Sequence, residues 1–132
     1  MSLSDPFADF LTRLRNASSA RLRYVDINTS KLIMQVVTIL KRDGFVKDFV
    51  SIPETDGRKA RIYLRYDRDR RPLLQKAVRI SKPGRRHYVS AEQIRPIQGG
   101  TGRNILTTNQ GVMTGQEAKK ANVGGELLCY FA

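Results

Sequence analysis

One cysteine, one histidine and no tryptophan occur among 132 residues. Cys129 has no partner for a disulfide within the chain. Together with His87 it falls short of the three or four soft or imidazole ligands that a zinc site needs, so no metal and no cofactor are expected. No run approaches the roughly 18 apolar residues that would cross a bilayer, and no membrane association is expected. The opening MSLSDPFADFLTRLRN carries Asp5 and Asp9 where a secretory signal would be basic, and arginines where it would be apolar, so a reducing, cytoplasmic setting is the expectation. Acidic residues are scarce as well: 12 Asp+Glu face 24 Lys+Arg, giving a formal charge of +12 and a pI of about 10.5. Such a balance points to a polyanionic partner. The 40% of hydrophobic residues, five Phe and five Tyr among them, exceeds what a disordered basic tail holds. The length suits one compact domain or two small ones.

The positive charge is unevenly compensated. Residues 1–72 hold 15 basic and 9 acidic residues, whereas 73–132 hold 9 basic residues against Glu92, Glu117 and Glu126 alone. Between Lys76 and Arg103 seven bases face the single acid Glu92, a local positive field whose bland alternative is a solvated face serving solubility. The segment Asp67-Arg68-Asp69-Arg70-Arg71-Pro72 lacks any apolar residue but proline. A boundary is placed on it, giving an N-terminal domain 1–70 and a C-terminal domain 71–132.

Periodicity sets the expected elements. Ser4-Asp5-Pro6 supplies a polar cap and a first-turn proline, and Phe7, Phe10, Leu11 and Leu14 follow at helical spacing to about Ser18. An extended piece spans Tyr24 to Ile27. Thr29 or Ser30 caps a second helix carrying Leu32, Ile33, Val36, Val37 and Leu40, and Gly44 stops it. Phe45 to Ile52 and Arg61 to Tyr66 form a hairpin around Glu54-Thr55-Asp56-Gly57, its second arm alternating core and basic positions. The N-terminal half thus reads helix, strand, helix, strand, strand. The second half reads as short strands: Leu74 to Ile80, Arg86 to Val89, Ile105 to Thr108, Val112-Met113 and a central Glu126 to Phe131. Turns fall at Lys82-Pro83-Gly84 and Asn109-Gln110-Gly111, a helical turn at Ala91 to Ile94, and a capping box Thr114-x-x-Glu117 opens a short helix. The fold class is α+β: an N-terminal α/β domain packed on a mostly β C-terminal domain with short helices.

Catalysis finds little support. The acids are scattered beside arginines and lysines, Cys129 sits in an apolar strand as an inert thiol, and His87 beside Arg85 and Arg86 reads as an exposed contact rather than a base. No catalytic residue is assigned. Gln98-Gly99-Gly100-Thr101-Gly102 fails as a phosphate cradle because a strand, not a helix, follows; a flexible loop is expected. Binding remains. Arg85-Arg86-His87-Tyr88 on one strand and Thr107-Thr108-Asn109-Gln110-Gly111 at a strand connection combine cations, a ring for stacking, and hydroxyl and amide groups suited to the RNA minor groove. Ordinary β propensity for Thr107-Thr108 and turn formation for Asn109 are equally open on local grounds. A DNA-binding architectural protein and a small hydrolase using Cys129 or an acid pair stand as rivals.

The run GRNILTTNQGVMTGQEAKKANVGGELLCYFA, Gly102 to Ala132, resembles the C-terminal signature of the family of the eighth protein of the bacterial small ribosomal subunit. SDPFADFLTRLRNA, SKL and ILKRDGFVKDF resemble its N-terminal half. The resemblance implies a two-domain α+β fold that binds the central domain of small-subunit ribosomal RNA directly, mainly through the C-terminal domain, in early subunit assembly and without catalysis. It implies a cytoplasmic, ribosome-associated monomer beside neighbouring small-subunit ribosomal proteins. It also implies an RNA loop at Thr107 to Gly111 with Tyr88 and Glu126 beside it, and Lys31, Arg15 and Asn16 as N-terminal contacts. Glu126 would accept from base amino groups or orient a neighbour; packing beside Gly124-Gly125 is its other reading. Many members carry serine-threonine-serine-lysine-glycine where this chain has Thr107-Thr108-Asn109-Gln110-Gly111. The loop thereby lacks one charge and keeps its hydrogen-bonding capacity.

Overall fold

A computed structural model describes residues 5–132. The chain divides into two compact units between Gln75 and Lys76.

In the first unit, α1 (Pro6–Ser19) starts where the Asp5 carboxylate accepts from the Ala8 N–H at 3.2 Å, with Pro6 in the first turn. The expected contribution of Ser4 to the cap lies outside the described residues. Phe7, Phe10, Leu11, Leu14 and Ala17 form the buried stripe, each of the large side chains worth about 1.5–3 kcal/mol on burial. After β1 (Tyr24–Asn28), the Ser30 hydroxyl accepts from the Ile33 N–H at 3.1 Å and caps α2 (Lys31–Arg42). Gly44, at φ 83°, ends it. The strands β2 (Val46–Ser51) and β3 (Lys59–Leu64) form the hairpin, closed through a 3₁₀ turn at Pro53–Thr55. The antiparallel sheet runs β1-β3-β2, with α1 packed on β1 and α2 on β2. Ala60, Ile62 and Leu64 point into the core while Arg61 and Tyr63 are half-buried between them, the alternation a one-sided sheet requires.

The segment Asp67 to Pro72 lies inside this unit. The Asp67 carboxylate accepts from the N–H groups of Asp69 (2.8 Å) and Arg71 (2.9 Å), so the chain turns back. Tyr66 then pairs with Pro72, and Leu73 N–H donates to Arg65 O at 3.0 Å. The buried Ser18 hydroxyl donates to Leu74 O at 2.6 Å, tying the returning chain to the end of α1.

The second unit is one antiparallel sheet in the order β4-β8-β6-β7, with β5 also on β8. Its strands are β4 (Ala77–Arg79), β5 (Tyr88–Val89), β6 (Arg103–Thr108), β7 (Gly111–Thr114) and β8 (Gly125–Phe131). Strand β8 is central, as its apolar character on both faces required. Leu106 and Leu127 are paired on one face, where Leu106 packs with Ile94, which follows the 3₁₀ turn Ala91–Gln93, and with Ala118 of α3 (Gly115–Lys120). The Thr114 hydroxyl accepts from the Glu117 N–H at 3.2 Å, and the Glu117 carboxylate accepts from the Thr114 N–H at 3.1 Å, a closed capping box. The first two strands of this half are shorter than their β-rich sequences suggest. Lys82 and Arg85 exchange backbone hydrogen bonds at 3.0 and 2.9 Å, and after this tight turn the second strand joins the ladder only from His87, whose carbonyl accepts from the Leu127 N–H at 2.9 Å, through Val89. The glycine-rich stretch turns tightly in left-handed backbone, with Gln98, Gly99 and Gly100 at φ 49°, 66° and 97° and the N–H groups of Gly100 and Gly102 both donating to Ile97 O at 3.0 Å.

Ser18 gives a direct test of how the returning chain is held. Ser18→Ala should cost about 1 kcal/mol, seen as a fall of roughly 3–5 °C in Tm for a chain of this size. An unchanged Tm would mean that the Ser18–Leu74 bond contributes nothing.

Candidate nucleic-acid interface

The register of β8 brings three of the expected residues into one row. Glu126 stands opposite Tyr88 of β5 on one side and Thr107 of β6 on the other. Directly opposed residues project from the same face of a sheet, so Tyr88, Glu126 and Thr107 share a face, opposite to the one that carries Leu106 and Leu127. A bulge on β8 sets this phase. Ile105 pairs with Cys129 but Leu106 pairs with Leu127, so the extra residue Leu128 turns Glu126 outward and Leu127 inward.

The two glycines before Glu126 make the row possible. A Cβ on Gly124 would collide with Val89 O, and a Cβ on Gly125 would collide with Thr107 O. Only glycine lets β8 approach both neighbours this closely. This role for Gly124-Gly125 escaped the sequence reading, although a glycine pair inside a strand pattern is its signal.

Glu126 is anchored rather than loose. Its Oε2 accepts from the Ser81 hydroxyl at 2.5 Å and from Arg86 Nη1 at 3.0 Å, and its side chain is 14% exposed. The Ser81 hydroxyl in turn accepts from the His87 N–H at 3.1 Å, and Ser81 itself is fully buried. Burial alone would push the carboxyl up, but the Ser81 and Arg86 hydrogen bonds and the arginine charges outweigh it and hold the group below its ordinary value. At neutral pH the carboxylate is therefore an acceptor only, with Oε1 left open. Ser81 is the positioning residue that sequence reasoning missed. A lone serine before a turn carries no chemical signature; only the fold reveals that it links β8 to the chain entering β5.

The loop is a tight hairpin. Thr108 pairs with Gly111 across Asn109-Gln110, and Gly111 takes φ 108°, a conformation other residues rarely adopt. The Thr108 hydroxyl donates to Gly111 O at 2.9 Å and accepts from the Gln110 N–H at 3.0 Å, so it is engaged inside the turn. The Asn109 and Gln110 side chains are exposed. Tyr88 presents a ring that is 69% exposed.

The remaining expected residues fall elsewhere. Arg85 is exposed at the end of the 82–85 turn and not on a strand, and Arg86 is partly neutralised by Glu126. Arg15 and Asn16 lie on the exposed side of α1, and Lys31 begins α2, all three in the first unit. Cys129 is fully buried and its thiol is pushed up by that burial, which makes it unreactive. Among the described residues no group of three or more His, Cys, Asp or Glu converges on a possible metal position. No helix there is long and apolar enough to cross a membrane.

An exposed ring, an ionised carboxylate, exposed amides and exposed cations thus gather on one strongly basic unit. The family model described as ribosomal protein S8 matches residues 5–131. The chain is 48% identical over 130 residues to the small ribosomal subunit protein uS8 of Protochlamydia amoebophila, covering 98% of each. It is 43% identical over 129 residues to that of Geobacter metallireducens, covering 98% of each. With that of Chlamydia trachomatis serovar D it shares 49% identity over 126 residues, covering 96% of this chain and 95% of the relative. The chain belongs to the ribosomal protein S8 family and is accordingly a structural component of the ribosome, in the bacterial cytoplasm, and not an enzyme.

The Glu126 anchor predicts a pH dependence with a definite sign. A carboxyl held low in the folded state stabilises it fully above its unfolded value, near 4.5, and the gain is lost as pH falls through the folded value. The parent should therefore exceed Glu126→Gln in urea midpoint at pH 7, and the gap should close below about pH 4.5. A gap that stays constant from pH 7 to pH 3 would contradict the anchored carboxylate.

Proposed function

We propose that the chain is a constituent of the small ribosomal subunit that binds the central domain of its ribosomal RNA directly and supports assembly there. Residues 71–132 act as the main RNA-binding domain and residues 1–70 as an α/β domain that adds contacts. It works as a monomer between the RNA and neighbouring small-subunit proteins. The observation that carries this reading is the row of Tyr88, Glu126 and Thr107 beside the 108–111 turn. It offers a stacking surface, an ionised acceptor and uncharged donors side by side, the combination that base edges and 2′-hydroxyls of RNA can use.

The roles divide by chemistry. Tyr88 stacks, Glu126 Oε1 accepts from a base amino group or a 2′-hydroxyl, and Asn109 with Gln110 reads from the tip of the turn. Thr107 offers its hydroxyl beside Glu126, and Thr108 and Gly111 hold the tip in shape. Arg85 contacts phosphate, and Arg86 contributes mainly by fixing Glu126. Lys31, Arg15 and Asn16 make the additional contacts from the first unit.

Titration with a central-domain ribosomal RNA fragment and with an unrelated duplex, at several salt concentrations, tests the reading. If ~5 phosphates are contacted, log K should fall with log salt at a slope of about −4. Replacing Thr108 and Asn109 with Ala should weaken the central-domain fragment by about 1–3 kcal/mol and leave the slope nearly unchanged. Arg85→Gln should weaken both RNAs alike and flatten the slope by about 0.7–0.9. A flat salt titration of the parent, or equal affinity for the two RNAs, would overturn the proposal.

A further inference from the structure

The first unit holds a second cationic feature, at the end of its sheet where β1 and β2 begin and β3 finishes. An open groove of about 750 Å³ lies there, lined by Arg21, Arg23, Lys47, Arg65 and Arg70 together with the rings of Tyr63 and Tyr66. Its one acid, Asp48, is already paired with Lys41 at 3.0 Å. Several other cations of this unit are neutralised, as Arg13 by Asp9, Arg42 by Asp43 and Arg61 by Asp26. Those of the groove are not: Arg65 donates to Gly44 O, Arg23 lies 5.8 Å from the Tyr63 ring centroid, and among the described residues no acid forms an ion pair with any of the five. Low-dielectric walls that carry mainly one sign of charge focus the field into the groove.

The backbone adds an independent observation. Arg21 and Arg70 both take left-handed conformations, φ 56° and 61°. Arg21 occupies the position after α1 where Leu22 N–H returns to Ala17 O, the place glycine or asparagine ordinarily takes. The corresponding position after α3 is Asn122, at φ 57°. An arginine at such a site is unfavourable for the fold, and strained residues of this kind gather where a side chain is needed.

We infer that this groove is a second RNA-contact site, one that holds sugar–phosphate backbone without reading sequence. The inference rests on the RNA-binding reading above and extends it to a surface outside the C-terminal row. The arginines are matched to phosphate geometry, and a contact made on RNA already held by the second unit gains from its high effective concentration.

The test uses the full chain, the Arg21→Gly/Arg70→Gly double variant, and Lys47→Gln, which sits at the β2 bulge without a left-handed backbone. The probe is a generic RNA duplex of unrelated sequence, titrated across salt, with the central-domain fragment in parallel. The double variant should melt at or above the parent temperature, because glycine relieves the left-handed strain. Its affinity for the duplex should nonetheless fall about tenfold at low salt, with a slope shallower by about 1.5, and Lys47→Gln should flatten the slope by about 0.7–0.9. Parent and variants binding the duplex with identical slopes would overturn this inference while leaving the C-terminal site standing. A parent that binds neither RNA would sink the function proposed above as well. Displacement of the duplex from the parent, but not from the double variant, by polyglutamate at charge concentrations where unlabelled RNA fails to compete would reassign the groove to an acidic protein and overturn the inference.

Discussion

The approach of three backbones around Gly124-Gly125 is the constraint on which the second unit depends. Strand β8 can be central only if β5 and β6 close on it from opposite edges, and at this point the closure leaves no room for a Cβ. Everything at the candidate interface follows from that contact. It sets Glu126 between Tyr88 and Thr107, brings the carboxylate to Ser81, and with the bulge at Leu128 decides which side chains face out. A side chain at either glycine would force the strands apart, and the ladder would lose its register before any RNA-facing residue was altered. In this unit structural and functional residues are therefore adjacent in sequence and different in kind.

Charge placement follows a second logic. Most described ion pairs lie in the first unit and on exposed surface, where a pair such as Arg13–Asp9 contributes little to stability. Their effect is to remove cations from some faces and leave others bare. The bidentate Asp26–Arg61 pair, stacked 4.1 Å over Tyr24, neutralises the middle of the β1-β3-β2 sheet, and its hydrogen bond with Arg61 holds the Asp26 carboxyl below its ordinary value. The end of the same sheet keeps its cations. A uniform count of +12 conceals this pattern, since it is the distribution of the 12 acids that shapes the field.

Much of the fold was legible because local rules and tertiary packing agree. The stripes Phe7-Phe10-Leu11-Leu14 and Ile33-Val36-Val37-Leu40, the Ser30 cap, the Thr114/Glu117 capping box and the two-sided apolar β8 each carry a periodicity or a cap that decides the element on its own. The short strands were less legible. Arg86 to Val89 has strand composition, but the Lys82–Arg85 turn and the length of β8 leave only its last part paired. The site was legible as residues and not as geometry. Side-chain chemistry already points to Tyr88 and Thr107, and resemblance adds Glu126, yet nothing in the string states that they share a row, because register depends on a bulge and two glycines whose partners lie about twenty to forty residues away. The groove cations were visible as arginines, and only the fold separates them from those that acids neutralise.

On the reading proposed here, the presence of an acid inside a basic surface ceases to be anomalous. Arg86 is turned onto Glu126 and lends it enough stabilisation to stay ionised, so the row holds an ionised acceptor within a neutral ion pair while Arg85 and Lys82 remain positive and exposed in the turn before β5. Such an arrangement gives phosphate little net attraction at the row and attracts it at the turn. A helix can satisfy both demands in one orientation, with its backbone over the cations and a base amino group or 2′-hydroxyl at Glu126 Oε1. Net charge then draws in any nucleic acid, and the embedded carboxylate rejects those that present a phosphate or an acceptor at that point. The glutamine at position 110 fits the same scheme, since an uncharged amide at the turn adds hydrogen-bonding groups without enlarging the part of the field that every phosphate backbone feels alike.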